Sequence, residues 1–211
     1  MVRQMLDRGE LHRTLSHAVV VPVLRCSSSG ATIDRATAAV DMGATILELT
    51  TTTPDWQSAL TALLNDKAFE HVTIGVGTVT TERHAAEAVE LGAQFLVSPL
   101  VVHVTSKGLV PHIQAGLTPS ELATAGGEIG IAKIFPAASV GVEFLRSVKE
   151  VLPHMEFMPT GGITLSNARS WLDAGALAVG IGSALFEKPV PSSTFHGIVA
   201  SYRTMRETKP S

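Results

Sequence analysis

Short apolar runs alternate with amphipathic stretches along the whole chain. Val19–Leu24, Thr45–Thr50, Val72–Val76, Gln94–Val97, Leu109–Ile113, Gly130–Phe135, Met155–Met158 and Leu177–Ile181 are each four to six residues long and bounded by turn residues. Short, β-branched runs of this kind predict strands. Between them the apolar positions recur at helical spacing. Helices are expected over Ala31–Met42, Asp55–Asn65, Thr81–Leu91, Pro119–Ala125, Val142–Val151, Leu165–Ala174 and Ser193–Arg206, with a weaker one after Ser98-Pro99 running to Lys107. Gly43, Gly92 and Gly175 stand where three of these helices end, the position that favours a left-handed closing residue. Met1–His17 mixes apolar and charged positions at the same spacing and predicts a leading helix.

Several of the strands are apolar on both faces, which suits a parallel sheet covered by helices on each side. Strand–helix alternation with short joins implies right-handed crossovers. Eight such units, with no linker-like segment, predict one (β/α)8 barrel of the TIM type over residues 1–211, preceded by an extra helix. The alternative is an open doubly wound sheet. That fold wants G-x-G-x-x-G after its first strand, and Arg25-Cys26-Ser27 stands there instead.

Composition narrows the function classes. The chain has 211 residues, 45% hydrophobic and 17% charged, enough for one domain with a full core. A formal net charge of -3 with no long basic run offers nothing to nucleic acid or an anionic membrane surface. Cys26 is the single cysteine, so an intrachain disulfide and a cysteine-cluster metal site are both excluded. Asp7 and Glu10 fall where a secretory signal would carry its apolar core, and the early run Ala18–Leu24 is too short to span a bilayer. The lone cysteine suits a reducing cytosol, and nothing in the sequence supports a metal site. The eight histidines show no paired metal-ligand spacing.

In such a barrel the chemistry lies at the C-terminal strand ends. The polar residues there are Arg25, Glu48, Thr78, Ser98, Lys133, Thr160 and Ser183. Lys133 sits inside Gly130-Ile-Ala-Lys-Ile-Phe-Pro-Ala-Ala138, sharing a face with Ile131 and Phe135. Burying an ammonium is costly, and an amine that has shed its proton attacks a carbonyl carbon. The other reading is a lysine that reaches water or pairs with a carboxylate. Glu48, inside Ile46-Leu-Glu-Leu-Thr50, shares a face with Ile46 and Thr50. It is either a general base or the partner of Lys133 or Arg25, and the two roles are compatible. The turns Thr160-Gly161-Gly162 and Gly180-Ile181-Gly182-Ser183 follow the seventh and eighth strands, where barrels of this type hold phosphate on backbone N–H groups.

Taken in order, Leu47-Glu-Leu-Thr50, Gly75-Val-Gly-Thr-Val79, Val97-Ser-Pro99, Lys133-Ile-Phe-Pro-Ala137, Pro159-Thr-Gly-Gly-Ile163 and Gly180-Ile-Gly-Ser-Ala-Leu185 carry a resemblance over almost the full chain. The chain resembles the class I aldolases that cleave 2-keto-3-deoxy-6-phosphogluconate (KDPG), whose family includes 4-hydroxy-2-oxoglutarate aldolase. The resemblance implies Lys133 as Schiff-base lysine, Glu48 as general acid/base and Thr78 as a ligand of the pyruvyl carboxylate. It also implies substrate contacts from Ser98, Pro99, Phe135 and Thr160, and a phosphate site at Gly161, Gly162, Gly182 and Ser183. Similar proteins are cytosolic homotrimers that need no metal, and their substrates are small 2-keto-3-deoxy acids, pyruvate and aldehydes. Departures from the family pattern are Thr52, where some members carry arginine, Leu100, and Gln114-Ala115 in place of Pro-Gly. Other members carry their arginine at the end of the first strand, which matches Arg25. Alternation with Val21 and Val23 points Arg25 inward, as the partner of a substrate carboxylate or of Glu48. A rival in a different class is a sugar-phosphate-binding barrel without catalysis; retention of both Lys133 and Glu48 argues against it.

Overall fold

The computed structural model describes residues 6–102, 110–187 and 191–207. Helix α1 (Arg8–Ala18) leads into β1 (Val20–Leu24), and α2 (Ser29–Asp41) into β2 (Ile46–Thr50). Then come α3 (Trp56–Asn65), β3 (Thr73–Gly77), α4 (Glu82–Glu90) and β4 (Leu96–Val97). The fifth strand run is split into β5 (His112–Ile113) and β6 (Ala115–Gly116). The chain continues through α5 (Pro119–Gly126), β7 (Ile131–Ile134), α6 (Gly141–Val151), β8 (Glu156–Pro159), α7 (Leu165–Asp173), β9 (Val179–Ile181) and α8 (Ser192–Glu207). The expected helix after Ser98-Pro99 and the start of the expected strand at Leu109 lie largely outside the described residues.

Local chemistry accounts for the helix starts. Asp7 caps α1, its carboxylate accepting from the Glu10 amide while Glu10 accepts from the Asp7 amide. That reciprocal pair is a strong N-terminal signal, and it starts the described helix at Arg8, while the first five residues of the expected leading helix lie outside the described residues. Thr118 and Glu121 form the same box on α5, with Pro119 in the first turn. The backbone N–H groups of Leu117 and Thr118 hold the Glu121 carboxyl below its usual range.

All the strand pairings are parallel. They form a six-stranded sheet in the order β5-β4-β3-β2-β1-β9 and a three-stranded sheet β6-β7-β8. Two narrow links join the sheets: Gln114 between β5 and β6, and an isolated bridge from Thr160 to Gly180. The split at Gln114 was not legible in the sequence. The Gln114 side-chain Oε1 accepts from the Val102 amide at 2.6 Å, while its backbone carbonyl accepts from the Lys133 amide at 2.8 Å.

The alternation read from sequence separates two cores. Leu24, Leu47, Leu49, Ile74, Val76, Ile134 and Phe157 pack outward under the helices. Val21, Ile46, Phe95, Val97, Ile113, Ile131 and Met158 pack inward against one another. Leu11, Leu15 and Ala18 of α1 join this inner cluster. The leading helix thus covers the inner core from the N-terminal side of the strands, leaving the opposite end for polar groups.

Candidate active site

Glu48 and Lys133 both project into the interior above the inner apolar cluster. Glu48 is 0% and Lys133 4% exposed. Lys133 Nζ lies 3.6 Å from Glu48 Oε1, and 5.2 Å from the centroid of the Phe135 ring. Neither carboxylate oxygen of Glu48 has a hydrogen-bond partner among the described residues. Buried polar atoms are almost always paired, so an orphaned carboxylate next to an amine calls for an explanation beyond stability. A buried ion pair is itself weak support for a fold, because desolvation offsets the Coulomb attraction.

The third strand makes the room. A side-chain carbon on Gly77 would overlap the Glu48 carboxylate. Glycine is required there by close approach, not by backbone angle.

Around this pair stands a hydroxyl-rich rim. Thr78 follows β3 with φ +57, the left-handed region that a β-branched side chain rarely enters. Its carbonyl accepts the Thr51 hydroxyl at 2.6 Å, and its own hydroxyl accepts from Arg25 Nη2 at 3.3 Å. Arg25 lies one residue beyond β1 and is exposed. The described ion pair of Glu48 is with Lys133, not with Arg25. The Arg25 carbonyl accepts from Arg35 Nη1 at 3.1 Å. Thr50 and Thr53 stitch the first two strand ends together: Thr50 Oγ1 donates to the Leu24 carbonyl and Thr53 Oγ1 accepts from the Cys26 amide.

The remaining expected residues fall into two groups. The first holds Phe135, Thr160 and the glycine turns, of which Phe135 adjoins Lys133. A side chain added at Gly161 would stand 3.2 Å from the Phe135 ring. Thr160 is buried against Gly180. Gly161 and Gly162 adopt φ +93 and +77, so each needs glycine for its backbone. Gly182 precedes the 3-10 turn that begins at Ser183, and the exposed Ser183 hydroxyl donates to Glu187 at 3.0 Å. Ser98 belongs to the wall. Its buried hydroxyl donates to the Val79 carbonyl at 2.5 Å and faces His112 Nε2 at 2.6 Å. Pro99 follows it, half-buried.

With the Ser98 hydrogen committed to Val79, His112 Nε2 is the donor of that contact. His112 Nδ1 is buried without a partner among the described residues. Burial pushes the His112 pKa down to about 4. The roles of Thr51, Gln114 and His112 were missed in sequence. Thr51 sat in a run of threonines legible only as a turn, and His112 was one of eight scattered histidines.

A cavity of about 640 Å³ has Arg8, His112, Gln114 and Glu128 among its lining. It includes neither Lys133 nor Glu48. Among the described residues no cluster of three or more His, Cys, Asp or Glu side chains comes together as a metal site.

An amine beside an unbonded carboxylate, at the C-terminal ends of parallel strands, is the equipment of a Schiff-base lyase. Comparison with known proteins agrees. A family model, "KDPG and KHG aldolase", matches residues 11–200. The chain belongs to that family and is an aldolase, a carbon–carbon lyase. The "KHG/KDPG aldolase" of Escherichia coli K12 is 33% identical over 165 residues, 75% of this chain and 76% of that one. The "2-dehydro-3-deoxy-6-phosphogalactonate aldolase" of the same organism is 27% identical over 176 residues, 79% of this chain and 84% of that one. The solved structure of a KDPG aldolase from Legionella pneumophila, with pyruvate captured as a covalent carbinolamine, superposes with a TM-score of 0.77 at 27% identity, covering 98% of this chain and 99% of that one.

Proposed function

We propose that this chain is a class I aldolase that cleaves 2-dehydro-3-deoxy-6-phosphogluconate to pyruvate and glyceraldehyde 3-phosphate through an imine on Lys133. The observation that carries the reading is the buried Lys133–Glu48 pair at 3.6 Å, with both Glu48 oxygens free to take a proton. The free amine of Lys133 attacks the C2 ketone to give a carbinolamine. Loss of water leaves an iminium cation. The C3–C4 bond then breaks, its electron pair flowing into the iminium to give an enamine. Glu48, directly or through one water, takes the C4 hydroxyl proton as the aldehyde departs. Protonation of the enamine at C3 and hydrolysis release pyruvate and regenerate the amine.

Arg25 and Thr78 hold the substrate carboxylate in this reading. Arg25 supplies the fork geometry that suits a carboxylate, and Thr78 a hydroxyl and a backbone N–H. Phe135, Pro99, Thr160 and Ser98 shape the walls, with Ser98 acting from behind. The backbone at Gly161, Gly162, Gly182 and Ser183 receives the phosphate. In this reading the two sheets are parts of one (β/α)8 barrel, a reading supported by the two narrow links at Gln114 and at Thr160–Gly180. The enzyme works in the cytosol as a homotrimer without metal or cofactor. A second reading keeps the same chemistry with 4-hydroxy-2-oxoglutarate as substrate. It draws on the Glu187 carboxylate, which accepts from Ser183 beside the phosphate position. Rates of pyruvate release from the phosphorylated and the phosphate-free acid separate the two.

The test of mechanism is covalent trapping. Incubation with pyruvate and borohydride is expected to fix a reduced pyruvyl group on the Lys133 peptide. An adduct on another residue, or none, refutes the Schiff-base reading. Glu48→Gln is expected to lower kcat by roughly 10²–10⁴ in the cleavage direction, the range of acid–base catalysis.

A further inference from the structure

From the contacts around Thr78 we infer that Thr51 is a positioning residue of the aldolase reaction, holding Thr78 in its left-handed conformation so that it can receive the substrate carboxylate. The inference rests on the assignment of that carboxylate to Thr78 and Arg25. Thr51 stands on the turn after β2, three positions beyond Glu48, and touches no reacting atom. Two hydrogen bonds tie it to the next strand end. Its amide donates to the Gly77 carbonyl at 2.9 Å, and its hydroxyl to the Thr78 carbonyl at 2.6 Å.

Those two carbonyls bracket the one backbone position on this rim that is out of the ordinary. Thr78 has φ +57, and a β-branched residue keeps such an angle only where its surroundings over-determine it. On the far side the Val79 amide donates to the Val97 carbonyl at 3.1 Å, and the Ser98 hydroxyl takes the Val79 carbonyl. Thr78 is therefore clamped from both flanks. The β4 clamp grips the residue after it, and the Thr51 hydroxyl alone grips its own carbonyl from the side of β2. If that grip is removed, the peptide after Thr78 keeps only the bond from its Val79 N–H, and Thr78 relaxes toward an ordinary backbone angle. The Thr78 hydroxyl then leaves Arg25, 3.3 Å away.

Three variants test this. Thr51→Val keeps the shape and removes the donor, Thr51→Ser keeps the donor, and Thr78→Ala removes the hydroxyl that Thr51 is held to place. Pyruvate KM and kcat are measured in the aldol direction, with thermal unfolding of each variant alongside. Thr51→Val is expected to raise the pyruvate KM about five- to tenfold, the scale of one neutral hydrogen bond, with a smaller fall in kcat. Thr51→Ser is expected to stay within about twofold of the parent on the same scale. In the double variant Thr51→Val/Thr78→Ala the KM is expected to match that of Thr78→Ala alone, because residues acting through one another are not additive. If Thr51→Val lowers stability too far to assay, Thr51→Ser against Thr51→Ala gives the same comparison. An unchanged pyruvate KM, or a double variant whose effect is the product of the singles, overturns the role of Thr51. In either case borohydride still fixes pyruvate on Lys133 of the parent. Loss of that trapping in the parent would instead bring down the reaction assignment, and this inference with it.

Discussion

At the scale of single residues, the site is built by what surrounds Glu48 and Lys133. A carboxylate with both oxygens buried and unbonded exists only because Gly77 leaves its space empty. Gly77→Ala is therefore expected to push Glu48 away from Lys133 and lower kcat toward the level of Glu48→Gln. The Gly77 backbone angle is an ordinary one, so the fold itself should survive the change. Full kcat in the alanine variant would show that Glu48 is not the proton carrier. Arg25 makes the complementary case at the rim. It is exposed and reaches Thr78, so its loss should affect binding more than folding. Arg25→Met is expected to raise the pyruvate KM with little change in melting temperature, and Arg25→Lys to restore it only in part, since a point charge lacks the fork. An unchanged KM with a shifted pH profile would reassign Arg25 to Glu48.

At the scale of elements, the leading helix is part of the interior. Leu11 and Leu15 are fully buried and pack with Val21, Ile46 and Ile131 on the inward strand faces. The reciprocal cap at Asp7 and Glu10 starts the helix at the right place, and Arg8 Nη1 donates to the Glu128 carbonyl at the entry to β7. Leu15→Ala is expected to cost about 2–5 kcal/mol in urea unfolding, the range for emptying a core leucine, while kcat of the folded enzyme stays near the parent value. A loss well under 1 kcal/mol would mean that the inner core does not depend on α1. The helix pattern itself was legible from spacing. Its partner was not, because spacing gives a face and not what the face meets.

At the scale of the molecule, acid sensitivity follows from His112. Its folded-state pKa is depressed to about 4 by burial, against 6.5 in the unfolded chain. Above pH 6.5 the histidine is neutral in both states, and its full contribution is present. Between pH 6.5 and about 4 the unfolded chain binds a proton that the folded protein refuses, so stability falls as pH falls. The loss across that window is about 3 kcal/mol from this group alone. Urea unfolding at a series of pH values is expected to show a shallower slope over that interval in His112→Gln than in the parent. An identical slope would place the acid sensitivity elsewhere.

Most of the order of strands and helices, and the shared faces of the strands that carry Glu48 and Lys133, were legible in the chain. Each is set locally, by period, by turn residues and by apolar residues on both sides of one charged group. Tertiary structure decided what depends on distance across strands. It brought Lys133 to Glu48, placed Thr78 beyond its strand in a left-handed turn under Thr51, and turned Ser98 into the wall against His112. It also split the fifth strand run at Gln114, whose side chain answers the Val102 amide, a partner twelve positions earlier. No local pattern names such a partner, because the contact exists only after separate strands have been laid side by side.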